Sequence, residues 1–465
     1  MTKQEAVINY ISENYLAFNR LRHDVISDKL QVRCAHSLSA PHNATSIIGD
    51  PAEDASLQNA PEGLLFRGSE YWREMTKHDI NSIVCHCAQE YDANITSREV
   101  MTALQSDLIP DVHPLREYIQ SLRPYTPEQP DWIDMVASQV RVRDSGSNGS
   151  KGSNGSKGED TFGTSGTFRT SSTKADRLWR VCFKKWFVAM VASWMKDEVV
   201  NHQVLVLIGR QGIYKTTWLE HLLPPHLRAY ACKLANSNDL NKDERLRIAE
   251  FGLISLDEID SMNNRELNQL KSVITASDVN ERAAYAYTKE RRVRLASFCA
   301  SGNRRDFLTD ITGNRRWLPF EVESILNPFY TTLPYDLMYA QAWALAQDPL
   351  FGYWFDLNEI EVLEQHNQHF RDTSNEEQLL DVYFAVPSTD ASNAKFLTTA
   401  EISERLIYYG NIKKPMTLSR LGVLLSQKGF LSVRRGNPSR RGWIIYERES
   451  QEVNSERSIL SKDLY

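Results

Sequence analysis

The stretch that decides the fold is VLVLIGRQGIYKTTWLEHLLPP, residues 204–225. Its first five residues, Val204–Ile208, form a β-branched and leucine run that is typical of a strand buried in a parallel sheet. A turn with glycines, a Lys-Thr pair and a helical stretch follow directly, and Pro224-Pro225 ends the helix. Strand, glycine turn, lysine and helix in this order predict a loop that cradles phosphate groups.

Each residue type in the loop suits a nucleotide. Backbone N–H groups point at the anion, the lysine reaches the β- and γ-phosphates, and the hydroxyl ligates Mg²⁺. The pattern G-x-x-x-x-G-K-[ST] has glycine where this chain has Tyr214, and a side chain there takes room from the phosphate. The alternative is a strand, loop and helix with a fortuitous lysine. The candidate phosphate-binding residues are Gly209, Gly212, Tyr214, Lys215, Thr216 and Thr217, with Thr216 also a metal ligand.

A second apolar run, Phe251–Leu256, ends in two acids, Asp257 and Glu258. One carboxylate at a strand end can hold the Mg²⁺ shell, and the next can orient and polarise an attacking water. Asp257 is therefore the candidate metal ligand and Glu258 a candidate catalytic residue. Alone, a strand that ends in acids is usually only a solvated strand end.

Two further candidates follow along the chain. The strand-like run Val293–Ala300 leads to Asn303, whose amide can sense the γ-phosphate, although asparagine turns after strands are common. Arg315 and Arg316 can stabilise charge in phosphoryl transfer, often from a neighbouring subunit, or can be a solvated face. All four elements come in the order expected of one nucleotide site, each at a strand end, and together they predict binding of ATP and Mg²⁺.

The rest of the composition is ordinary. The chain has 465 residues, of which 41 % are hydrophobic and 25 % charged, and a net charge of −6. It is not disordered throughout, and any nucleic-acid surface must be local. The apolar runs are too short to span a membrane, and acids stand where an export signal would be apolar, so we expect a cytoplasmic protein without a membrane partner. The six cysteines lack a zinc pattern and are expected to be reduced thiols.

A linker divides the chain. Half of residues 144–173 are Gly or Ser, and GSNGSK occurs twice in tandem, which predicts flexibility. Apolar residues at helical spacing predict a mainly helical N-terminal region over 1–143. Residues 448–465 form a polar tail. An amphipathic helix that packs in the core is predicted after the linker from Trp179, Phe183, Trp186, Phe187 and Met190.

Residues 395–447 predict two helices and then two short strands, the pattern of a winged helix-turn-helix. Between Asn411 and Arg441 there are eight Lys or Arg and no acids. Such a local field favours phosphate contacts, so DNA is the expected partner, and a protein–protein module is the alternative. The candidate DNA-binding residues are Lys413, Lys414, Arg420, Arg434, Arg435, Arg440 and Arg441.

The motifs quoted above, together with FGLISLDEID (251–260), residues 270–303 and FLTDITGNRRWLPFEV (307–322), resemble the core of the virulence-associated protein E family of phages and integrative elements. The resemblance covers roughly residues 175–350. The family's ATPase resembles superfamily 3 helicases, so it implies an AAA+-like P-loop ATPase domain, here residues 174–386. It also implies a Walker A role for Lys215 and Thr216, a Walker B role for Asp257 and Glu258, a sensor role for Asn303, an arginine finger at Arg315 or Arg316, and DNA contacts at Lys271, Arg282 and Tyr285.

Together these observations predict a multidomain protein, with a mainly helical N-terminal region, a central α/β P-loop (AAA+-like) ATPase domain and a C-terminal winged helix-turn-helix. The predicted function is an ATP-dependent DNA helicase or replication-initiation motor of a mobile genetic element. It would act on single-stranded or forked DNA as a homo-oligomeric ring, hexameric by analogy with superfamily 3. One alternative is a DNA-binding regulator or defence component whose ATPase is a slow assembly switch. Another is a scaffold that binds DNA without hydrolysing ATP.

Overall fold

The computed structural model describes most of the chain, namely residues 2–34, 71–144, 173–234, 242–281, 290–308, 314–371, 374–387, 393–435, 439–448 and 453. The predicted linker and polar tail therefore lie almost wholly outside the described residues. No helix within these ranges has the length and apolar character that crossing a membrane requires. All six cysteines are described and are free thiols, as expected.

The N-terminal part combines helices with a sheet. Its elements are α1 (Lys3–Ile11), β1 (Leu21–Asp24), β2 (Lys29–Cys34), β3 (Tyr71–Glu74), α2 (Lys77–Tyr91), α3 (Ser97–Leu104), β4 (Asp111–Val112), α4 (Pro114–Ser121), α5 (Trp132–Ala137) and β5 (Val140–Val142). The first four strands form a sheet in the order β3-β2-β1-β4, in which only the β1–β4 pair is parallel.

The prediction of a mainly helical N-terminal region did not include this sheet. Its strands are short, and β1 buries polar residues, so hydrophobic periodicity does not reveal it. Arg22 is buried and pairs with Glu117 at 2.5 Å, and Asp24 is buried and accepts a 2.8 Å hydrogen bond from the Tyr230 hydroxyl. Both partners lie outside the sheet and far away in sequence.

The central part holds the large sheet. Its elements are α6 (Lys174–Met195), β6 (Val204–Ile208), α7 (Lys215–Glu220), β7 (Ala231–Leu234), α8 (Lys242–Glu250), β8 (Leu253–Leu256), α9 (Asn264–Thr275), β9 (Asp278–Glu281), β10 (Glu290–Val293), β11 (Ser297–Gly302), β12 (Trp317–Ile325), α10 (Tyr335–Gln347) and α11 (Leu357–Asn367). The strand order is β5-β12-β6-β11-β8-β7, and every pair is parallel except β5 with β12. A parallel-sheet α/β core is thus confirmed.

Strand order brings the motifs together. Strand β11 is later in the chain than β6 and β8 but lies between them. All residues of β6, β8 and β11 are buried, as expected for strands that are covered on both faces. Because the three strands are parallel, their carboxyl ends meet at one edge of the sheet.

Helix α6 packs across the sheet and confirms the predicted aromatic core helix. Its five predicted core side chains are all fully buried. The Trp186 indole N–H donates to the Phe298 carbonyl, and the Trp194 indole N–H donates to the Gly252 carbonyl, both at 3.1 Å. Buried indoles need such acceptors, and these two bonds join α6 to β11 and to the start of β8.

Residues 114–142 belong to the same core, although the sequence placed them in the separate region 1–143. Strand β5 forms an edge of the central sheet, and Leu115 and Ile133 are fully buried in the core that contains α6. The Trp179 indole N–H donates to the Ala137 carbonyl at 2.9 Å. Only tertiary contacts reveal this association, because the predicted linker intervenes in sequence.

The C-terminal elements are α12 (Asn375–Tyr383), β13 (Phe384–Ala385), β14 (Lys395–Leu397), α13 (Thr399–Gly410), α14 (Leu418–Gln427), β15 (Leu431–Arg435) and β16 (Arg440–Glu447). Strand β16 pairs antiparallel with β13, β14 and β15. The sequence assigned α12 and β13 to the domain ending at 386, yet they pack here. Tyr383 stacks on Tyr409 with ring centroids 3.9 Å apart, and Lys428 bonds Asp381 at 2.6 Å.

Candidate functional site

A cavity of about 300 Å³ lies at the carboxyl edge of β6, β8 and β11. It joins most of the residues that the sequence proposed for phosphate, metal and water. Its lining residues are Gln211, Gly212, Tyr214, Lys215, Thr216, Thr217, Asp257, Glu258, Ser301, Gly302 and Asn303. Arg315 and Arg316 are not among them.

The loop between β6 and α7 is shaped by two glycines. A Cβ on Gly209 would lie 2.7 Å from the Val322 carbonyl oxygen, and Gly212 has a φ of +84°, which a side chain would strain. The loop wraps around the buried Lys215, whose ammonium donates to the carbonyls of Gly209 and Arg210 at 2.8 and 2.7 Å. Burial lowers the pKa of Lys215, although nearby carboxylates act in the opposite sense.

Three oxygen-bearing side chains from three elements form a network beside this lysine. The Ser301 hydroxyl donates to Asp257 Oδ1 at 2.7 Å, and the Thr216 hydroxyl lies 2.9 Å from Ser301 Oγ and 3.3 Å from the same Oδ1. The other carboxylate oxygen, Oδ2, lies 2.9 Å from the Lys233 ammonium on β7. Burial alone would raise the pKa of Asp257, but the hydrogen bonds from Lys233 and Ser301 lower it.

Lys233, Ser301 and Asp260 are functional candidates that the sequence analysis missed. The two carboxylate oxygens of Asp260 accept the backbone N–H groups of Asn303 and Arg304, each at 3.1 Å. These bonds hold the turn after β11, where Asn303 Oδ1 accepts from Lys215 at 3.3 Å. The only signal in the sequence is that each residue stands at or near the end of a strand, and the strand order needed to read that signal is not local.

Backbone strain is concentrated at the cavity. Among the described non-glycine residues, six have a positive φ, and four of these are Asn or Asp, which tolerate that conformation. The other two are Tyr214 and Glu258, with φ of 66° and 53°. Glu258 is exposed, and its carboxylate makes no hydrogen bond or ion pair with another described residue.

Tyr214 lines the cavity but bonds outside it. Its hydroxyl accepts a 3.4 Å hydrogen bond from the Asn327 amide, and its ring meets Phe329 edge to face with centroids 6.4 Å apart. The ring is 38 % exposed. It therefore forms part of the rim and leaves open the cavity beside Lys215.

Arg315 and Arg316 lie at the edge of the sheet opposite the cavity. They therefore do not form a single site with the cavity residues of the same chain. They directly precede β12, whose first residue, Trp317, is opposite Val204 at the start of β6. Since β12 and β6 are parallel, both arginines are at the amino edge. There they line a second cavity of about 340 Å³ with the aromatic residues Tyr353, Trp354 and Phe355. Within the described part of the chain, neither arginine pairs with a carboxylate.

The candidate DNA contacts fall in two places. In the centre, Lys271 is a half-buried residue of α9, while Arg282 and Tyr285 lie outside the described residues. In the C-terminal part, the seven proposed basic side chains are all exposed. Arg434 is directly opposite Arg441, and Arg435 is directly opposite Arg440, in the β15–β16 pair. Like charges in such positions destabilise a hairpin unless an anion lies between them.

The comparison with known protein families agrees with the motifs. Residues 160–372 match the family model described as the Virulence-associated protein E-like domain, which confirms the resemblance. The chain is similar to the apo structure of the NrS-1 C terminal region, with 10% identity and a TM-score of 0.43, over 96% of this chain and 100% of that one. The A form apo structure of that region gives a TM-score of 0.41 at 10% identity, over 92% and 96%. No curated protein matches the sequence.

Proposed function

We propose that this chain, in which residues 160–372 match the virulence-associated protein E-like domain, is an ATP-dependent DNA motor of a mobile genetic element. In this proposal it acts as a helicase or in replication initiation and hydrolyses ATP between subunits. One observation carries the proposal. A buried lysine inside a glycine loop shares one cavity with a hydroxyl–carboxylate network and with Glu258, whose carboxylate has no partner among the described residues.

The cavity residues fit a magnesium nucleotide. A volume of about 300 Å³ is at the lower end of the range for small-molecule sites. Thr216 Oγ1 and Asp257 Oδ1, 3.3 Å apart, are hydroxyl and carboxylate oxygens of the kind that Mg²⁺ takes as ligands. When bound, Mg²⁺ neutralises charge on the phosphate oxygens. Lys233 occupies only Oδ2 of Asp257, so Oδ1 faces Thr216.

Each remaining side chain has one task in hydrolysis. The Lys215 ammonium, now bonded to two loop carbonyls, turns its donors to the phosphate oxygens. Glu258 holds and polarises the attacking water, since its carboxylate has no competing partner among the described residues. Asn303 contacts the γ-phosphate while Asp260 fixes its backbone.

In this proposal Arg315 or Arg316 of a second copy completes the site. Both are at the far edge of the sheet, have no carboxylate partner among the described residues, and line a cavity that is open to that face. A contact between opposite edges of identical chains is heterologous and closes into a ring when the rotation permits. The expected assembly is thus a ring with ATP at each interface.

The C-terminal elements support DNA binding as a winged helix. Two helices precede a hairpin that carries four exposed arginines in two directly opposed pairs. Phosphates placed between these pairs would relieve their repulsion. Lys413, Lys414 and Arg420 add charge beside α14, so single-stranded or forked DNA is the proposed partner.

A steady-state ATPase assay with and without single-stranded DNA tests the proposal. We expect turnover that DNA stimulates and that Lys215→Ala abolishes, because the variant loses the phosphate-binding ammonium. Lys77→Ala, at an exposed lysine of α2, is the matched control and should leave turnover unchanged. The absence of nucleotide binding in the unaltered chain would leave only a DNA-binding scaffold.

The second candidate is a DNA-binding regulator or defence component whose ATPase is a slow assembly switch. It is favoured by Tyr214, a bulky residue in a strained left-handed conformation where the motif has glycine. Nucleotide binding with little turnover, unchanged by DNA, would support this candidate over the motor.

A further inference from the structure

Two exposed aromatic side chains lie beside the cavity that contains Lys215, Asp257 and Glu258, which we call the phosphate cavity. Phe329 and Tyr330, in the loop after β12, are 68 % and 89 % exposed. Phe329 packs against the rings of Tyr214 and His221, with centroids 6.4 and 5.7 Å away, so the loop is attached to the rim of the cavity. Leu326, three residues before Phe329 in the chain, is 56 % exposed. Large apolar groups grouped at a surface indicate an interaction site.

The second cavity, at the opposite edge, is lined by cationic, aromatic and uncharged polar side chains. Arg315 and Arg316 are the cationic residues, and Tyr353, Trp354 and Phe355 are the aromatic ones. Trp354 is 63 % exposed. The Lys185 ammonium donates to the Trp354 carbonyl at 3.1 Å, and it also binds Glu359 at 2.5 Å, which attaches the aromatic segment to α6 and α11.

We propose that the Phe329–Tyr330 loop of one copy docks into the second cavity of the next copy. This inference rests on the proposed function in one respect, namely that Arg315 or Arg316 reaches the phosphate cavity of another subunit. Both arginines line the second cavity, and Tyr214, which contacts Phe329, lines the first. Any arrangement that brings the arginines to the phosphate cavity therefore brings the aromatic loop to the second cavity.

Charge complementarity identifies the occupant as a second copy of this chain. The carboxylates of Asp257 and Glu258 line the phosphate cavity, and Asp260 accepts the backbone N–H of its lining residue Asn303. The second cavity offers two guanidinium groups without carboxylate partners among the described residues. The Phe329–Tyr330 loop, which lies beside these acids, would then meet the aromatic residues of the second cavity, which lie beside its arginines. Aromatic and arginine side chains are the types enriched at interface centres. Docking orders the subunits head to tail and aligns the arginine with the nucleotide.

Cysteine cross-linking of the full chain tests the contact directly. A mixture of Tyr330→Cys and Trp354→Cys chains, oxidised with an ATP analogue and Mg²⁺ present, should give a mixed disulfide dimer. Tyr408→Cys, at a C-terminal side chain that is 84 % exposed, replaces Tyr330→Cys in the control and should give none above the background of wild-type chains. Equal yields in the test and control mixtures would overturn the proposal.

Single variants measure the contribution of the contact. Tyr330→Ser and Trp354→Ser should each weaken self-association by at least about tenfold in sedimentation, because exposed aromatic anchors dominate such interfaces. Binding of a fluorescent ATP analogue by the dilute chain should be retained in both. Unchanged self-association of both variants would overturn the docking proposal but not the proposal that the chain binds ATP. If the wild-type chain does not bind the ATP analogue, the proposed function alone is overturned. If Trp354→Ser weakens binding of single-stranded DNA but not association, the cavity binds nucleic acid and the docking proposal is wrong.

Discussion

At the scale of single residues, two conformations mark the cavity. Tyr214 and Glu258 both adopt the left-handed region that asparagine and aspartate adopt elsewhere among the described residues. Such strain costs on the order of 1–3 kcal/mol per residue and persists where the surrounding structure imposes it. For Tyr214 the conformation turns the ring onto Phe329 and Asn327, so the bulky residue does not fill the phosphate cavity.

Asp257 gives a prediction with a defined pH dependence. Replacing its partner in Lys233→Met should lower the free energy of unfolding at pH 7 by about 0.5 kcal/mol, since the pair is partly exposed. The pKa of Asp257 is lowered in the folded chain, so the pair stabilises the fold above the ordinary pKa of aspartate. That stabilisation is lost as the pH falls through the folded value. The difference between wild type and variant should therefore disappear at acidic pH.

Urea unfolding from pH 7 downward measures this difference. Lys233→Arg is the matched control, because it keeps a cation beside the carboxylate and should behave like wild type. A variant difference that stays constant down to acidic pH would assign the effect to packing of the lysine stem and not to the ion pair.

At the scale of elements, the β15–β16 hairpin has an unfavourable charge arrangement in the isolated chain. Directly opposed arginines cost several tenths of a kcal/mol per pair. The double variant Arg440→Ala with Arg441→Ala should therefore fold at least as stably as wild type but bind DNA more weakly. If each arginine contacts one phosphate, the slope of log affinity against log salt should decrease by about 1.8 on duplex DNA.

Lys428 provides the control for this prediction. It lies in the same domain, but it pairs with Asp381 at 2.6 Å and Glu377 at 3.2 Å. Lys428→Ala should lower stability and leave the salt slope unchanged. Fluorescence anisotropy over a salt series distinguishes the two variants, and an unaltered slope for the double arginine variant would refute the assignment of the hairpin as a DNA-contacting wing.

At the scale of the whole molecule, the two edges of the central sheet hold different halves of the proposed catalytic site. Lys215 and Glu258 are at the carboxyl edge, and Arg315 and Arg316 are at the amino edge. One chain therefore cannot complete the site as long as its sheet is intact. Hydrolysis in this arrangement requires association, and turnover per chain should rise with protein concentration.

Subunit mixing tests this division. Lys215→Ala chains and Arg315→Ala/Arg316→Ala chains should each be inactive alone, because every interface lacks one half of the site. Mixed in equal amounts, they should regain up to about one quarter of wild-type turnover, the fraction of interfaces that receive both intact halves in a random heterologous ring. Mixing Lys215→Ala chains with triple-variant chains lacking all three side chains is the control. Activity of the arginine variant by itself would contradict the shared site.

The sequence by itself determined several elements of the central domain and most of the residues that line the cavity beside Lys215. Apolar periodicity predicted α6, and a buried run followed by a glycine loop predicted β6 and Lys215, because both patterns are local. Motifs that follow parallel strands lie at the same edge of the sheet, so Thr216, Asp257 and Asn303 were predicted to lie close together. In the structure all three line one cavity.

Only the tertiary structure decided which groups meet those residues. Strand order places Lys233 and Ser301 on the two oxygens of Asp257, and strand direction places Arg315 at the opposite edge. The N-terminal sheet was missed for the same reason, since Arg22 and Asp24 are buried against partners far along the chain. Periodicity encodes which face of an element is buried, whereas pairing partners depend on contacts between distant segments that no local pattern contains.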